Sequence, residues 1–493
     1  MGYLLAIDQG TTGSTALIVE ESSLKVVAKQ NVEFKQIYPA EGYVEHDLND
    51  ILSSVEESVK RALAEAKISS KDLISIGITN QRETTCAFSK DGSPLANAIV
   101  WQDRRTHPMC EKLSSAYESL RKKTGLPLDP YFSGTKMKWL LENNDAVKKA
   151  ADARDLCFGT IDTFLLYRLT DGTSFKTEPS NASRTLLMDL DSTHWDSELL
   201  KFFSIKESFL PQIQDSFSDF GKTKNCPFIA DGVSIHCILG DQQAALFGQA
   251  GTDKGDVKCT YGTGAFILLN TGKEKVFSEN GLLTTVAFRH KGQPSYALEG
   301  SSYIAGAAVQ WLRDEVQMIE SSSEVEGLAT EAPESEMNSV LLFPFFTGIG
   351  TPYWNSKAKA SLVGLARNTG RAHIARATLE GIALSINDSF AVLEKDSPAQ
   401  FDSVRVDGGA SNNNFLMQIQ ANFSGKKMIR PTVVETTAFG VILGSLVYLE
   451  KLEMDSLKAK LSVDREFDPE ARVYFKNKSK LWSQHIHRTY LDQ

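Results

Sequence analysis

"LLAIDQGTTGSTALIVE", residues 4–20, decides how the chain is read. Two apolar runs flank a short stretch of glycine and hydroxyl residues that comes directly after an acid, Asp8. The runs predict strands and the stretch between them a tight turn. It is not a Walker loop, because no Gly-Lys-Ser/Thr comes after it, and it lacks the G-x-G-x-x-G spacing of dinucleotide binders. Read as a binding turn, it uses Gly10 and Gly13 to free the backbone, so that amide N–H groups and the hydroxyls of Thr11, Thr12 and Ser14 surround phosphate oxygens. Asp8 then points at a magnesium ion through water, since Mg²⁺ dehydrates reluctantly. A plain hairpin turn is the alternative.

The pattern returns in the second half of the chain. "VKCTYGTGAFILLN", 257–270, is again strand, Gly-Thr-Gly turn, strand, so one phosphate turn is expected from each of two lobes. "VRVDGGASNNNFLMQIQ", 404–420, reads as a strand ending at Asp407, a Gly408-Gly409 turn and a helix opening on Asn412 or Asn413, a surface on which adenine and ribose can lie. "SSYIAGAAVQWLRD", 301–314, reads as a helix thinned by Gly306 and Ala307, with Gln310 one turn on. Each of these has a structural alternative, a capped junction or a helix contact.

Between these marks the chain alternates strand and helix. Ile51, Val55, Val59 and Leu63 recur four apart, predicting an amphipathic helix capped by Asp47 or Asn49. Ile74, Ile76 and Ile78 alternate, predicting a strand. Glycine and charge gather at 246–255, and the domain boundary is placed near residue 250, giving lobes 1–250 and 251–493. The acid run at 318–338 reads as a solvated helix and loop, and "FPFFTGIGTPYW", 343–354, as a loop packed on the second lobe.

Composition narrows the classes. The 493 residues are 42% hydrophobic and 23% charged, ordinary globular material for more than one domain. A net charge of −9 argues against a nucleic-acid partner. "AFGVILGSLVYL", 438–449, is too short to span a membrane, and no signal-peptide pattern opens the chain, so a cytoplasmic protein is expected. Six cysteines without C-x-x-C spacing predict reduced, mostly buried thiols.

"AIDQGTTGSTALI", "GITNQRETT", "AIVWQDRRT", "LGDQQAALFGQ", "TYGTGAF" and "VDGGASNNNFLMQ" together resemble the FGGY carbohydrate kinases, as do "YFSGTKMKWLLEN" and "ASLVGLARNTGRAHIARATLEG", which are similar to that family's two signatures. The resemblance runs from about residue 3 to about 475, and "NQRETT" with "GDQQAALFG" points to the members that phosphorylate glycerol. It implies an α/β fold of two lobes, each with an actin-like, ribonuclease-H-like ATPase core, and MgATP in the interlobe cleft. Carried over, Arg82, Glu83, Tyr131, Asp241 and Gln242 match polyol contacts, with Trp101 and Phe266 as an apolar wall. Thr11, Thr12, Gly13, Thr263, Gly306, Gln310, Gly409 and Asn413 match nucleotide contacts, although Gly13 and Thr15 stand where many members have a hydroxyl residue and an arginine.

Asp241 comes after the strand-like "IHCILG" and precedes a helix, at a strand's carboxyl end, where it can serve as general base toward a primary hydroxyl. Its structural alternative is a helix N-cap. The implied substrates are glycerol and ATP, with no nucleic acid, no membrane insertion and room for a homo-oligomer. Another polyol or sugar kinase of the family, or an actin-like ATPase switch without a polyol site, is the alternative function.

Overall fold

The apolar runs on either side of the opening turn fold as the strands Tyr3–Gln9 and Gly13–Glu20, paired antiparallel with Asp8 opposite Thr15. The structure, a computed structural model, describes residues 2–355, 357–433 and 435–491. Val26–Glu33 extends the sheet antiparallel on one side. On the other side Leu73–Asn80 runs parallel to Tyr3–Gln9, Ser234–Gly240 parallel to that, and Phe217–Lys222 closes the sheet antiparallel. Leu73–Asn80 is buried on both faces, with only Ile74 partly exposed, because parallel strands inside a sheet are covered on both sides.

The helix Leu48–Ala66 lies on this sheet with Ile51, Val55 and Val59 fully buried. Asp47 is its cap, accepting a hydrogen bond from the Asn49 amide at 2.8 Å. Lys67, in the left-handed region at φ 56°, ends it.

The chain forms two compact units. The first holds the chain as far as Ala250 together with Thr284–Tyr296 and Thr436–Leu457. A single division near 250 leaves these two later segments out, and glycine contacts explain the second of them. The apolar segment at 438–449 is the helix Thr436–Tyr448, laid directly on the helix Asp241–Gly248. A Cβ on Gly440 would sit 2.0 Å from the Ala244 carbonyl oxygen, and one on Gly248 would sit 2.0 Å from that of Thr436. A Cβ on Gly77 would lie 2.7 Å from Val441, so the same helix also rests on the central strand. Backbones this close admit no side chain at either glycine. Among the described residues no helix is long and apolar enough to cross a membrane.

The second unit comprises Gly251–Leu283, Ala297–Glu435 and the chain from Lys458 on. Val257–Tyr261 pairs antiparallel with Ala265–Gly272 and parallel with Ser403–Asp407. Lys427–Pro431 is next in parallel, and Val463–Phe467 closes the sheet antiparallel. Each unit therefore repeats one device: an antiparallel pair joined by a short glycine turn, then two further parallel strands. This repeat is the two-lobed, actin-like arrangement that the resemblance implies. The helix Arg371–Asp396, buried without a break from Ala375 to Ile386, runs through the core of the second unit. Phe343 and Phe345 are buried against Trp482 and Tyr490, so the aromatic loop is packed there.

Five of the six cysteines are buried and Cys226 partly so, all as free thiols. Because Gly440 meets backbone rather than a movable side chain, Gly440→Val should destabilise the first unit by about 1–3 kcal/mol or more. A lowered urea midpoint checks this; a midpoint equal to that of the unsubstituted protein would contradict the contact.

Candidate active site

Three parallel strands of the first unit end in one row, with Gln9 beside Asn80 and Asn80 beside Gly240. The residues just past each strand therefore emerge at one carboxyl edge: the turn Gly10–Thr12, the segment Gln81–Thr84, and Asp241. Of the polyol residues read from the sequence, Arg82, Glu83 and Asp241 meet here, and Trp101 and Tyr131 are joined to them.

Asp241 opens the helix Asp241–Gly248, but its N-cap is Gly240, not Asp241. Its Oδ1 accepts from the Gln242 amide at 2.7 Å, and its carboxylate stands at the positive end of the helix dipole. Arg82 Nε lies 3.2 Å from the same Oδ1. Arg82 is almost wholly buried, whereas the Asp241 side chain is 30% exposed, so the acid faces solvent from a fixed mount. Gln243 supplies the rest of that mount: its Oε1 accepts from Arg82 at 3.2 Å while its Nε2 donates to the Val286 carbonyl.

Glu83 is held more tightly still. Its backbone is in the left-handed region at φ 60°, a conformation that costs a residue with a side chain about 1 kcal/mol or more. Ser133 Oγ donates to its carbonyl at 2.9 Å. The wholly buried Lys136 bridges the same carbonyl, at 3.4 Å, and that of Tyr131, at 2.6 Å. Burial pushes the Lys136 ammonium down to about 7. On the side chain, Arg184 Nε donates to Glu83 Oε1 at 2.5 Å, a pair with both members buried. The Arg184 guanidinium also lies over the rings of Tyr131 and Phe132. Tyr131 meets Trp101 edge to face at 5.7 Å.

The opening turn differs from its reading in two respects. Neither Gly10 nor Gly13 takes a positive φ, so neither is needed for conformational freedom. Gly13 instead relieves a tight contact, because a Cβ there would stand 3.0 Å from the Val32 carbonyl oxygen of the neighbouring strand, which would have to give by a few tenths of an ångström. Ser14 is buried and its hydroxyl pairs with Ser54 at 2.7 Å, which turns it away from the turn. Thr11 and Thr12 remain at the edge; Thr11 Oγ1 accepts from Trp101 Nε1 at 3.0 Å. Thr15 accepts from Asn31 within the sheet. Asp8 is half-buried, one residue before the strand's end.

His46, for which the sequence offers no partner, steadies this turn. Its Nε2 meets Gln36 Oε1 at 2.7 Å and its Nδ1 meets Gln81 Nε2 at 3.4 Å. Those two amides donate in turn to the carbonyls of Thr11 and Gly10, each at 3.1 Å.

The second unit has its own site. A cavity of about 580 Å³ is lined by Thr263, Gly306, Gln310, Gly409 and Asn413, all read from the sequence as nucleotide residues. The turn at 262–264 is clamped to the start of the helix Gly306–Asp314, with the Ala305 amide donating to the Thr263 carbonyl and that of Gly306 to Gly262. Ser301 and Ser302 end a strand, and the helix begins only at Gly306. Gly408, at φ 84°, lets the next turn pass against Tyr261, whose carbonyl oxygen a Cβ would approach to 2.5 Å. Asn413 caps the helix Asn414–Ser424, its Oδ1 accepting from the Leu416 amide at 2.8 Å, so its NH₂ is the part of the side chain left to donate elsewhere. Phe266 lies on the strand after the Gly-Thr-Gly turn, opposite Thr260.

The acid run forms the expected helix and loop with most of its acids at the surface, but one face of it is packed. It contains the helix Glu324–Thr330, with Val325 and Ala329 buried, and Ser322, Ser323, Val325 and Glu326 line the cavity. Glu326 accepts from the Asn414 and Phe415 amides, tying this wall to the capped helix. The helical spacing of Val325 and Ala329, four apart, is the sequence signal for it.

Residues 3–248 match the N-terminal domain of the FGGY family of carbohydrate kinases, and residues 257–447 match its C-terminal domain. The chain belongs to the FGGY family of carbohydrate kinases. This FGGY kinase is 47% identical to the glycerol kinase of Bdellovibrio bacteriovorus over 99% of each chain. It is 46% identical to glycerol kinase 2 of Thermotoga maritima over 95% of each. In structure it is similar to the Plasmodium falciparum glycerol kinase solved with ADP, with a TM-score of 0.91, 34% identity, and coverage of 100% of this chain and 99% of that one.

Two of the FGGY kinase's site features generate tests. Burial pushes the His46 imidazole from 6.5 down to about 4, so the fold holds it neutral and the unfolded chain binds the extra proton between those values. Its contribution to stability is therefore full above pH 6.5 and is lost as pH falls toward 4. In His46→Gln the acid loss of stability over that range should be shallower by up to about 3 kcal/mol, read from urea midpoints at each pH; an unchanged slope would deny His46 the role. In the cavity, nothing lies within 4 Å of a Cβ built on Gly409, so Gly409→Leu should fold normally while its side chain occupies nucleoside space. We expect a KM for ATP raised roughly tenfold or more with the KM for the acceptor little changed; equal KM values for ATP would remove Gly409 from the nucleotide wall.

Proposed function

We propose that the chain phosphorylates glycerol with ATP, giving sn-glycerol 3-phosphate and ADP, with Asp241 as general base. The carrying observation is that Asp241, Arg82 and Glu83 emerge together at one strand edge, with the acid partly exposed and the other two fixed behind it. Relatives 46–47% identical over nearly the whole chain bear the name glycerol kinase, which favours this reading over another sugar kinase or a non-catalytic ATPase.

Glycerol offers three hydroxyls on three carbons, so selection must come from hydrogen bonds that a poorer substrate leaves unmade. Arg82 donates, Glu83 accepts, Tyr131 and Gln242 can do either, and the face of Trp101 suits the carbon chain. As the terminal hydroxyl oxygen attacks the γ-phosphorus in line, its proton passes to the Asp241 carboxylate and the bond from phosphorus to the β,γ-bridging oxygen breaks, releasing ADP. Phosphoryl transfer has a loose transition state, so placement of the hydroxyl and neutralisation of charge contribute more than proton removal. Thr11, Thr12, Gly13 and Thr263 are assigned to the phosphates. Gly306, Gln310, Gly409 and Asn413 are assigned to the nucleoside.

Mg²⁺ takes one or two carboxylates and keeps several waters; the half-buried Asp8 would hold it, and bound there it would offset phosphate charge. A cytoplasmic location accords with this reading.

ADP release measured with glycerol, with a panel of sugars and with no acceptor tests the assignment; comparable release without acceptor would overturn it. Asp241→Asn should lower kcat by roughly 10²–10⁴ while ATP still binds, and near-normal turnover in a folded variant would remove Asp241 from the chemistry. Glu83→Ala should raise the KM for glycerol far more than that for ATP, and equal effects on both would misplace it.

A further inference from the structure

We propose that the buried turn from Glu178 to Arg184 is the bracket that sets the acceptor site, with Ser180 a positioning residue for Asp241 and Asn181 one for Arg82 and Glu83. The inference rests on the acceptor-site roles proposed for Asp241, Arg82 and Glu83. None of it is visible in the sequence pattern of "TEPSNASRT", 177–185, which has no part in those roles.

Glu178 is wholly buried, and its carboxylate collects five hydrogen bonds. Oε1 accepts from Ser180 Oγ at 2.5 Å, from the Asn181 amide at 2.8 Å and from Asn181 Nδ2 at 3.1 Å. Oε2 accepts from the Ser180 amide at 2.8 Å and from Ser216 Oγ at 2.7 Å. Burial raises the Glu178 carboxyl from 4.5 to about 7; in its ionised form it only accepts, so Ser180 Oγ donates to it and keeps its lone pairs for another donor. That donor is the Gly240 amide, at 2.8 Å. Gly240 is the N-cap of the helix that Asp241 opens, and a Cβ on it would lie 2.8 Å from the Arg82 side-chain carbons. The chain of bonds from Glu178 through Ser180 thus ends one residue from the proposed base.

Asn181 makes the second leg. Its amide and that of Asn80 exchange hydrogen bonds at 2.9 and 3.1 Å, and Asn80 Nδ2 also donates to the Gln81 carbonyl at 2.9 Å. Asn80 is therefore fixed at the residue where the chain leaves its strand toward Arg82 and Glu83. Arg184, at the end of the same turn, holds the Glu83 carboxylate. Glu178, Ser180 and Asn181 are each wholly buried, so they act on the site only through these partners. A buried ionised network is commonly no more stabilising than apolar packing of the same volume, but it fixes directions that apolar contacts leave open.

The two legs predict different kinetic signatures. With glycerol and ATP as substrates, Ser180→Ala should lower kcat roughly 10–100-fold, with the KM for glycerol within about twofold of the unsubstituted value, and Ser180→Thr should restore it. Asn181→Ala should instead raise the KM for glycerol roughly tenfold and spare kcat by comparison. A purely structural turn would lower the melting temperature of both variants and leave kcat and KM of the folded fraction unchanged, and that result overturns the proposal. If Ser180→Ala does not fold, Ser180→Cys, which keeps the size but accepts weakly, is read by the same criteria. Unsubstituted protein that forms no glycerol phosphate would instead overturn the assigned reaction, and the bracket's role with it.

Discussion

Three parallel strands that stop in the same row, at Gln9, Asn80 and Gly240, are the constraint that places the first unit's site. A slip of one residue would turn every side chain to the opposite face of the sheet and break the packing made on each. Once Leu4 to Ile7, Ile76 to Asn80 and Ile235 to Gly240 are buried in register, the next residue of each strand has one edge on which to emerge. The chemistry of Thr11, Arg82, Glu83 and Asp241 is placed by sheet geometry before any side chain bonds to another. The second unit uses the same geometry, with Thr260 beside Asp407 and the turns after them lining one cavity.

Edge placement sets position only to within a side chain's reach. Orientation comes from buried polar groups behind the edge: Gln243 on Arg82, Arg184 and Lys136 on Glu83, and His46 on the first turn through Gln36 and Gln81. Glu83 shows what such support counters, since a left-handed backbone conformation persists only where its surroundings over-determine it. The helix Asp241–Gly248 is fixed from its other side by the glycine contact with Thr436–Tyr448, a rigid join of backbone on backbone.

Legibility in the sequence tracked the range of the interactions. The capped helix after Asp47, the paired strands, the two glycine turns and the residues Thr263, Gly306, Gln310, Gly409 and Asn413 that share a cavity all depend on neighbours a few residues away or on a pattern repeated along the chain. The misses depend on distant partners. Arg184 is 101 positions from Glu83, and Ser14 is 40 from the Ser54 hydroxyl that turns it inward. Gly440 belongs with Ala244 because two backbones touch, and nothing local in "AFGVILGSLVYL" records which backbone that is. In the acid run the exposed charges were legible, and the packed face carried by Val325 and Ala329, four apart, was not.

The proposed chemistry stands or falls on whether the acceptor alcohol binds at the strand edge between Asp241 and the fixed pair Arg82 and Glu83. A crystal structure with glycerol and a non-hydrolysable ATP analogue is the decisive measurement. The prediction is a terminal hydroxyl within about 3 Å of the Asp241 carboxylate and the remaining hydroxyls on Arg82 and Glu83. Glycerol bound with no contact to Asp241, or on residues away from this edge, would contradict it.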